Sequence, residues 1–553
     1  MKYDSLILGN IYTMNRKMPI AGSMGIKGGK IAFVGTRPEG DALRAVSGRV
    51  FDTGDKPVFP GFLDTHVHVI PSGILMKGCD VSGARNISEI QTLMKKYAEN
   101  IPEGQWIYGT HFQDKRIAEK RLMTKDELDE ISTEHPVFLY HNDGHPYAFN
   151  SKAIEILGLS PKMPGVLTDE TGEMNGMVVD PACADAGEKA FALLEDAEMV
   201  EGFRRLEDYA VQYGVTTIFA KEYLFALKAI LSQRDTYKTT IKPMMRTPGG
   251  CADHRDLDAL LCDEELKKET TVCTFADGAF DGWSAANFEP YEGQPLNFGM
   301  LYNTDEQLYS YLKKAHDNGL QVSCHAIGDY GIEQVLNTYE RILRESPRED
   351  HRHRIEHFEM PTRYQIRRAA QMGCACGMQP LLLEVCEGMD MEGYRIFIGD
   401  RVKRCSPYRS CLDEGILVGG GSDYSVTEMR PLHAIRIAME HPVESERISL
   451  FEGLEMFTVN AAKIGFLEDR KGMLKEGMDA DFIVLSANPY AVKKEELSEI
   501  GVLATITGGN TVYGDLGQFA LKSSRKSAAG GAEKMKYKKQ DGAILKGDEN
   551  RDR

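Results

Sequence analysis

Pro60-Gly61-Phe62-Leu63-Asp64-Thr65-His66-Val67-His68 is the stretch on which the fold turns. Apolar residues behind a Pro-Gly entry read as a buried strand. In a strand, residues i and i+2 share a face, so His66 and His68 present two imidazoles to one side while Val67 faces the other. Two imidazoles so placed can hold one metal ion. Three more residues of ligand type close later apolar runs: His325 in VSCHAIGD (322–329), His357 in RIEH (354–357) and Asp423 in GSD (421–423). Each stands where a strand hands over to a loop. That repeated placement matches the C-terminal face of a barrel, where active sites are assembled.

Outward from this stretch, short apolar runs at 215–219, 272–275, 321–324, 354–357 and 417–418 alternate with longer helical patterns. Such alternation predicts a parallel sheet, either doubly wound or closed into a (β/α)8 barrel. Residues 85–210 fit it poorly: helix-like segments at 88–100, 124–131 and 151–157, with turns such as 161–165, read as an insertion after the first core strand. The two ends of the chain carry sheet fragments. Strands are expected at 5–8, 24–27, 30–34 and 50–52, with Gly28-Gly29 as a tight turn, and again at 480–485 and at 502–507 ahead of Gly508-Gly509. The two fragments are expected to pair as one satellite domain.

The 553 residues, 42% hydrophobic and 27% charged, suit a globular chain with a sizeable core and exclude disorder as the main state. A net charge of -17 repels nucleic acid and anionic membranes, so neither is an expected partner. No run approaches the ~18 apolar residues of a spanning helix. Met1 to Asp4 lead into alternating Leu6, Leu8 and Ile11 rather than a signal sequence, so the expected compartment is the cytoplasm. Eleven cysteines without a CxxC pair read as reduced structural thiols. The tail, 521–553, holds ten basic and five acidic residues and is expected to be disordered. Gly419-Gly420-Gly421, with no Lys-Ser/Thr after it, reads as close backbone packing rather than a phosphate loop.

The motifs PGFLDTHVHV, VSCHAIGD, RIEHFE and VGGGSDYSV, in that order, carry a resemblance. With GVTT (214–217), FADG (275–278) and the segment 458–485, the chain resembles the amidohydrolase superfamily, and within it the YtcJ-like branch, over about residues 1–515. The resemblance implies a metal-dependent (β/α)8 TIM barrel over 59–465, including the insertion at about 85–210. It also implies a small composite β-sandwich domain formed from 1–58 and 466–520. By motif, His66 and His68 are first-strand ligands, His325 the fifth-strand ligand, His357 the sixth and Asp423 the eighth. One departure stands out. Relatives carry a bridging lysine in VKxxxDG, where this chain reads VCTFADG, so Cys273 becomes the expected ligand in its place and Glu222 an alternative bridging carboxylate. His145, in LYHNDGH (139–145), is expected to reach over the metal from the insertion. Asp277, Trp283 and Arg354 are further expected substrate contacts near strand ends.

Imidazole and carboxylate donors suit Zn2+ first, one ion or two, with Mn2+, Fe2+ or Co2+ as alternatives. Such a metal makes hydroxide from water near neutral pH. Asp423 is the expected general base and then acid, and His357, if unbound, polarises the substrate carbonyl. The reaction implied is hydrolysis of a C-N bond in a small N-acyl, N-formyl or cyclic amide, by an enzyme expected to be a homodimer. A deaminase or ester hydrolase would use the same site. A catalytically silent scaffold is the third reading, against which the five retained ligand residues argue.

Overall fold

A computed structural model describes residues 2–141, 146–179, 182–247 and 252–521. His145 and the tail beyond residue 521 lie outside the described residues. Eight parallel strands pair in chain order: Phe62–Val67, Val215–Glu222, Thr240–Arg246, Thr271–Phe275, Gln321–Ala326, Arg354–His357, Ala375–Met378 and Leu417–Gly420. The seam between the eighth strand and the first is drawn together by Thr65 Oγ1, which donates to the Gly420 carbonyl at 3.0 Å, and by a parallel bridge from Val67 to Tyr424. The sheet is thus a nearly closed TIM barrel rather than a doubly wound layer.

Burial explains the choice. Every residue of Val215–Glu222 is buried, as a strand must be when helices cover its outer face and side chains fill its inner one. The covering helices bury apolar stripes: Asp305–Asp317 buries Leu308, Tyr311 and Leu312, and Asp329–Glu345 buries Ile332, Val335, Leu336 and Tyr339. Capping boxes at Thr304 and Thr362 start the helices Asp305–Asp317 and Arg363–Gln371. The third and seventh strands have no counterpart among the expected runs. Thr240–Arg246 contains Lys242 and Pro243, and Ala375–Met378 is four residues with Ala and Gly, so neither shows a β-branched apolar run.

A second, eight-stranded sheet takes strands from both chain ends. Its order runs Asn510–Gly514, Val502–Thr507, Phe482–Leu485, Val58–Pro60, Tyr3–Tyr12, Ile20–Lys27 and Lys30–Gly35, with Ser47–Asp52 paired to Tyr3–Tyr12. Ile7, Met24, Val58, Phe482, Val484 and Ile506 belong to its own apolar core. Lys471 Nζ bonds Asp481 at 2.5 Å inside it.

The stretch after the first barrel strand is more strand-rich than its sequence suggests. Helices form at Ile87–Ala98, Lys125–Asp129 and Ser151–Leu157, where helical patterns stand. Between them lies a six-stranded sheet in the order Val166–Thr168, Met174–Val178, Tyr147–Phe149, Val137–His141, Ile107–Phe112 and Cys79–Asp80. Tyr140 and Tyr147 from this sheet reach the barrel cavity. Among the described residues no helix is long and apolar enough to cross a membrane.

Candidate active site

The structure brings His66, His68, His325, His357 and Asp423 to one mouth of the barrel. Asp423 Oδ1 lies 3.3 Å from His66 Nε2 and 3.1 Å from His68 Nε2. One donor atom from each of these three residues falls within 4.8 Å of the others. The His357 ring stands 5.2 Å from that of His66 and 4.5 Å from that of His325, centre to centre. His357 and Asp423 have positive φ, 67° and 54°, in the left-handed region that non-glycine residues rarely occupy. Such strain persists only where the surroundings enforce it, and it clusters at functional sites. Part of the enforcement is visible: Asp64 Oδ1 accepts from the backbone N–H of His66 at 3.2 Å and of Ser422 at 2.9 Å, tying the first strand to the loop that carries Asp423.

His66 is oriented from behind. Its Nδ1 pairs with Glu356 Oε2 at 2.8 Å, which leaves Nε2 aimed at Asp423. Glu356 in turn accepts from Arg354 Nη2 at 3.0 Å and from Ser323 Oγ at 2.6 Å, with Arg354 Nε 2.7 Å away. Burial alone would raise the Glu356 carboxyl, but Arg354 and His66 outweigh it and hold it well below the usual range. Burial lowers His66 and His68 to about 4 and His357 to about 3, so all three imidazoles are neutral at pH 7 with a lone pair to offer. Against its own burial, Asp423 is held well below the usual carboxylate range by the three imidazoles around it. His68 Nδ1, His357 Nδ1 and Asp423 Oδ1 are buried without a hydrogen-bond partner. Orphaned buried acceptors are costly. A cation between Asp423 Oδ1 and the Nε2 atoms of His66 and His68 would satisfy the Asp423 oxygen, and this donor set fits a transition-metal ion.

Several expected residues lie elsewhere. Cys273 packs one layer below the mouth among Leu63, Phe219, Met244, Ala461 and Ala462, and burial pushes its thiol up to about 12, against a thiolate. The strand alternation explains the correction: Phe275, two residues on, takes the mouth position and stacks on His325 at 4.9 Å. Glu222 is turned away from the cluster, its Oε1 accepting from Ile70 N at 2.8 Å at the start of the helix Val69–Leu75. Its neighbour Lys221 faces the cluster instead, with Nζ 3.3 Å from His66 Nε2 and 4.7 Å from the centre of the Phe275 ring. Arg354 is 0% exposed and acts through Glu356 and the Thr65 carbonyl, so it is no substrate contact. Asp277 is equally structural: it accepts from the backbone N–H of Ala286, Ile327 and Gly328 at 2.9, 3.0 and 2.8 Å.

Above the cluster sits an inner cavity of about 120 Å3 bordered by His68, Lys221, Arg246, His325, His357 and Asp423. An outer cavity of about 540 Å3 adjoins it through Asp281, Cys386 and Val426, and there Trp283 stands at the wall with its ring 4.7 Å from Phe397. Lys221 and Arg246 are basic residues of the cavity lining that sequence reading missed. Lys221 was legible from the alternation of Val215–Glu222; Arg246 was not, because its strand was unrecognised.

The model of the amidohydrolase family matches residues 49–513. The chain is 30% identical over 533 residues to the protein LONG AFTER FAR-RED 3 of Arabidopsis thaliana, covering 91% of this chain and 90% of that one. It is 28% identical over 488 residues to the putative amidohydrolase YtcJ of Bacillus subtilis, covering 82% and 89%. It is 26% identical over 545 residues to an N-substituted formamide deformylase of Arthrobacter pascens, covering 92% and 98%. Among solved structures, an uncharacterized metal-dependent hydrolase from Pyrococcus horikoshii superposes with a TM-score of 0.74 at 22% identity, covering 89% of this chain and 99% of that one. The match over most of the chain, together with an imidazole and carboxylate cluster at the mouth of a parallel barrel, places this protein in the amidohydrolase family.

Proposed function

We propose that the protein is a metal-dependent hydrolase of a small carbon-nitrogen substrate, an N-acyl, N-formyl or cyclic amide. The observation that supports this most is the convergence of His66, His68 and Asp423, with donor atoms mutually within 4.8 Å, beneath a cavity at the barrel mouth. His66 and His68 would hold the metal with Asp423, and His325 and His357, which border the same cavity outside that three-residue group, would be the further ligands. Zn2+ suits neutral imidazole and carboxylate donors. When bound, the metal supplies a Lewis acid and lowers the pKa of water toward neutrality. Asp423, ionised at the mouth, takes the proton of the attacking water and returns it to the leaving nitrogen. Glu356 fixes the His66 tautomer, and the rings of Phe275 and Tyr223 line the cavity beside it. The relative that acts on N-substituted formamides favours an N-formyl substrate.

The test is metal analysis joined to turnover. Purified protein should retain transition metal, the double variant His66→Ala/His68→Ala should lose it, and the protein should hydrolyse N-formyl or N-acyl amides. Asp423→Asn, checked for metal retention, should cut the rate by about 100-fold or more, the usual scale for a general base. Unchanged metal content in the double variant would remove the site assignment.

A further inference from the structure

Arg246 ends the third barrel strand, Thr240–Arg246, and borders the inner cavity beside Lys221, His68 and Asp423. A guanidinium carries five N–H donors in a planar fork, and away from bulk water it is normally matched by carboxylates or carbonyls. Arg246 is not so matched. Among the described residues its side chain makes no ion pair or hydrogen bond, and its Nε is buried without an acceptor. Its contacts are ring faces, with the guanidinium carbon 4.7 Å from the centre of Tyr223 and 5.3 Å from that of Phe275. Stacking of this kind uses the face of the guanidinium and leaves the in-plane donors open.

The surrounding charges do not neutralise it. Glu222 accepts from Ile70 N, and Glu188 is not within ion-pair distance; burial raises both carboxyls to about 7 even in the field of Arg246. Lys221 adds a second cation with no carboxylate in contact among the described residues. In register, Lys221 is level with Met244, so Arg246 stands two residues further along, one side-chain layer nearer the entrance, or about 6.6 Å. The cavity therefore has a metal-ligand floor, an unmatched planar cation one layer up, and aromatic walls from Tyr140, Tyr147 and Tyr223.

We propose that Arg246 is the specificity-determining residue: its fork receives a substrate carboxylate, so the preferred substrates are N-acyl or N-formyl compounds bearing a carboxylate a few bonds from the scissile C-N bond, with an apolar or aromatic group against the tyrosines. This rests on the hydrolase reading above. The planar carboxylate fits the planar fork bidentately.

The experiment compares N-formyl-phenylalanine with its neutral carboxamide in the metal-loaded protein, in Arg246→Met and in Arg246→Lys. In parallel, calorimetry measures the binding of phenylacetate against phenylacetamide. The wild type should favour the carboxylate member of each pair by about 30-fold or more, the worth of a charge-assisted hydrogen bond. The ratio should fall to near one in Arg246→Met and to an intermediate value in Arg246→Lys, which keeps the charge but not the fork. A wild type that does not discriminate, or a preference that survives Arg246→Met, overturns the proposal. If neither formyl compound is turned over, the N-formyl form of the hydrolase reading has failed, and the binding pair alone still decides for or against Arg246. Should Arg246→Met not fold, as judged by metal content and thermal transition, Arg246→Lys carries the same comparison: an undiminished ratio there counts against the fork.

Discussion

Glu356 carries no substrate-facing atom, yet it decides which nitrogen His66 can offer. With Nδ1 committed to Glu356 at 2.8 Å, only Nε2 faces Asp423. Glu356→Gln keeps the volume but removes the charge that Arg354 and His66 share, so metal affinity should fall by about 10- to 100-fold while the barrel stays folded. A competition titration with a chelator reads this directly; unaltered affinity would mean that Glu356 does not position the ligand. Cys273 behaves oppositely. Buried one layer beneath the mouth, it should accept Ser at a cost of about 1 kcal/mol in stability with no change in metal content. The contrast between Cys273 and Phe275, and between Glu222 and Lys221, shows where motif matching slips. A shift of one residue in a strand moves a side chain to the opposite face and a shift of two moves it one layer along, and only the barrel's register fixes either.

At the level of elements, the helical turn Leu383–Glu387 after the seventh strand borders the inner cavity through Cys386, with Leu382 just before it at the same wall. It is held by a buried carboxyl pair. Ser406 Oγ donates to Glu387 Oε1 at 2.7 Å and sits 3.4 Å from Glu359 Oε1. Burial pushes Glu387 up to about 7, and burial together with the neighbouring Glu387 raises Glu359 well above its ordinary value. A carboxyl whose folded pKa lies above its unfolded one contributes stability that is present below the unfolded value and lost as pH rises through the folded value. The window here runs from the ordinary carboxylate range to about 7. Glu387→Gln, which cannot ionise, should therefore be more stable than wild type at pH 8.5, on the order of 1–3 kcal/mol, and should lose that advantage at pH 5. Thermal unfolding at the two pH values checks this, and an advantage independent of pH would rule out ionisation as its cause. The same scale shows why two barrel strands escaped the sequence reading. Thr240–Arg246 and Ala375–Met378 gain their place from neighbours that supply hydrogen bonds on both edges, not from propensity of their own.

Across the whole molecule, the terminal sheet couples the two ends of the chain to the barrel. Phe482–Leu485 pairs with Val58–Pro60, and only Gly61 separates Val58–Pro60 from the strand that carries His66. Removing residues 482–521 would strip the partner from Val58–Pro60 and expose Ile7, Met24 and Val58 of that sheet's core. The truncated protein should lose a cooperative thermal transition and bind metal poorly, measured by calorimetry and metal content; a normal transition would show that the sheet is dispensable. The parallel sheet, its first strand and the strand-end placement of His66, His68, His325, His357 and Asp423 were readable from residue order, and the motifs' resemblance chose the barrel over a doubly wound sheet, because strand alternation and strand-end placement are local properties that short motifs encode. The six-stranded sheet of 79–178, the retirement of Cys273, Glu222, Asp277 and Arg354 from the site, and the entry of Lys221 and Arg246 into it came only with the fold. Each depends on which face a side chain takes and on what partner, often many residues away in the chain, stands against it, and those are facts of register and packing that no single stretch of chain contains.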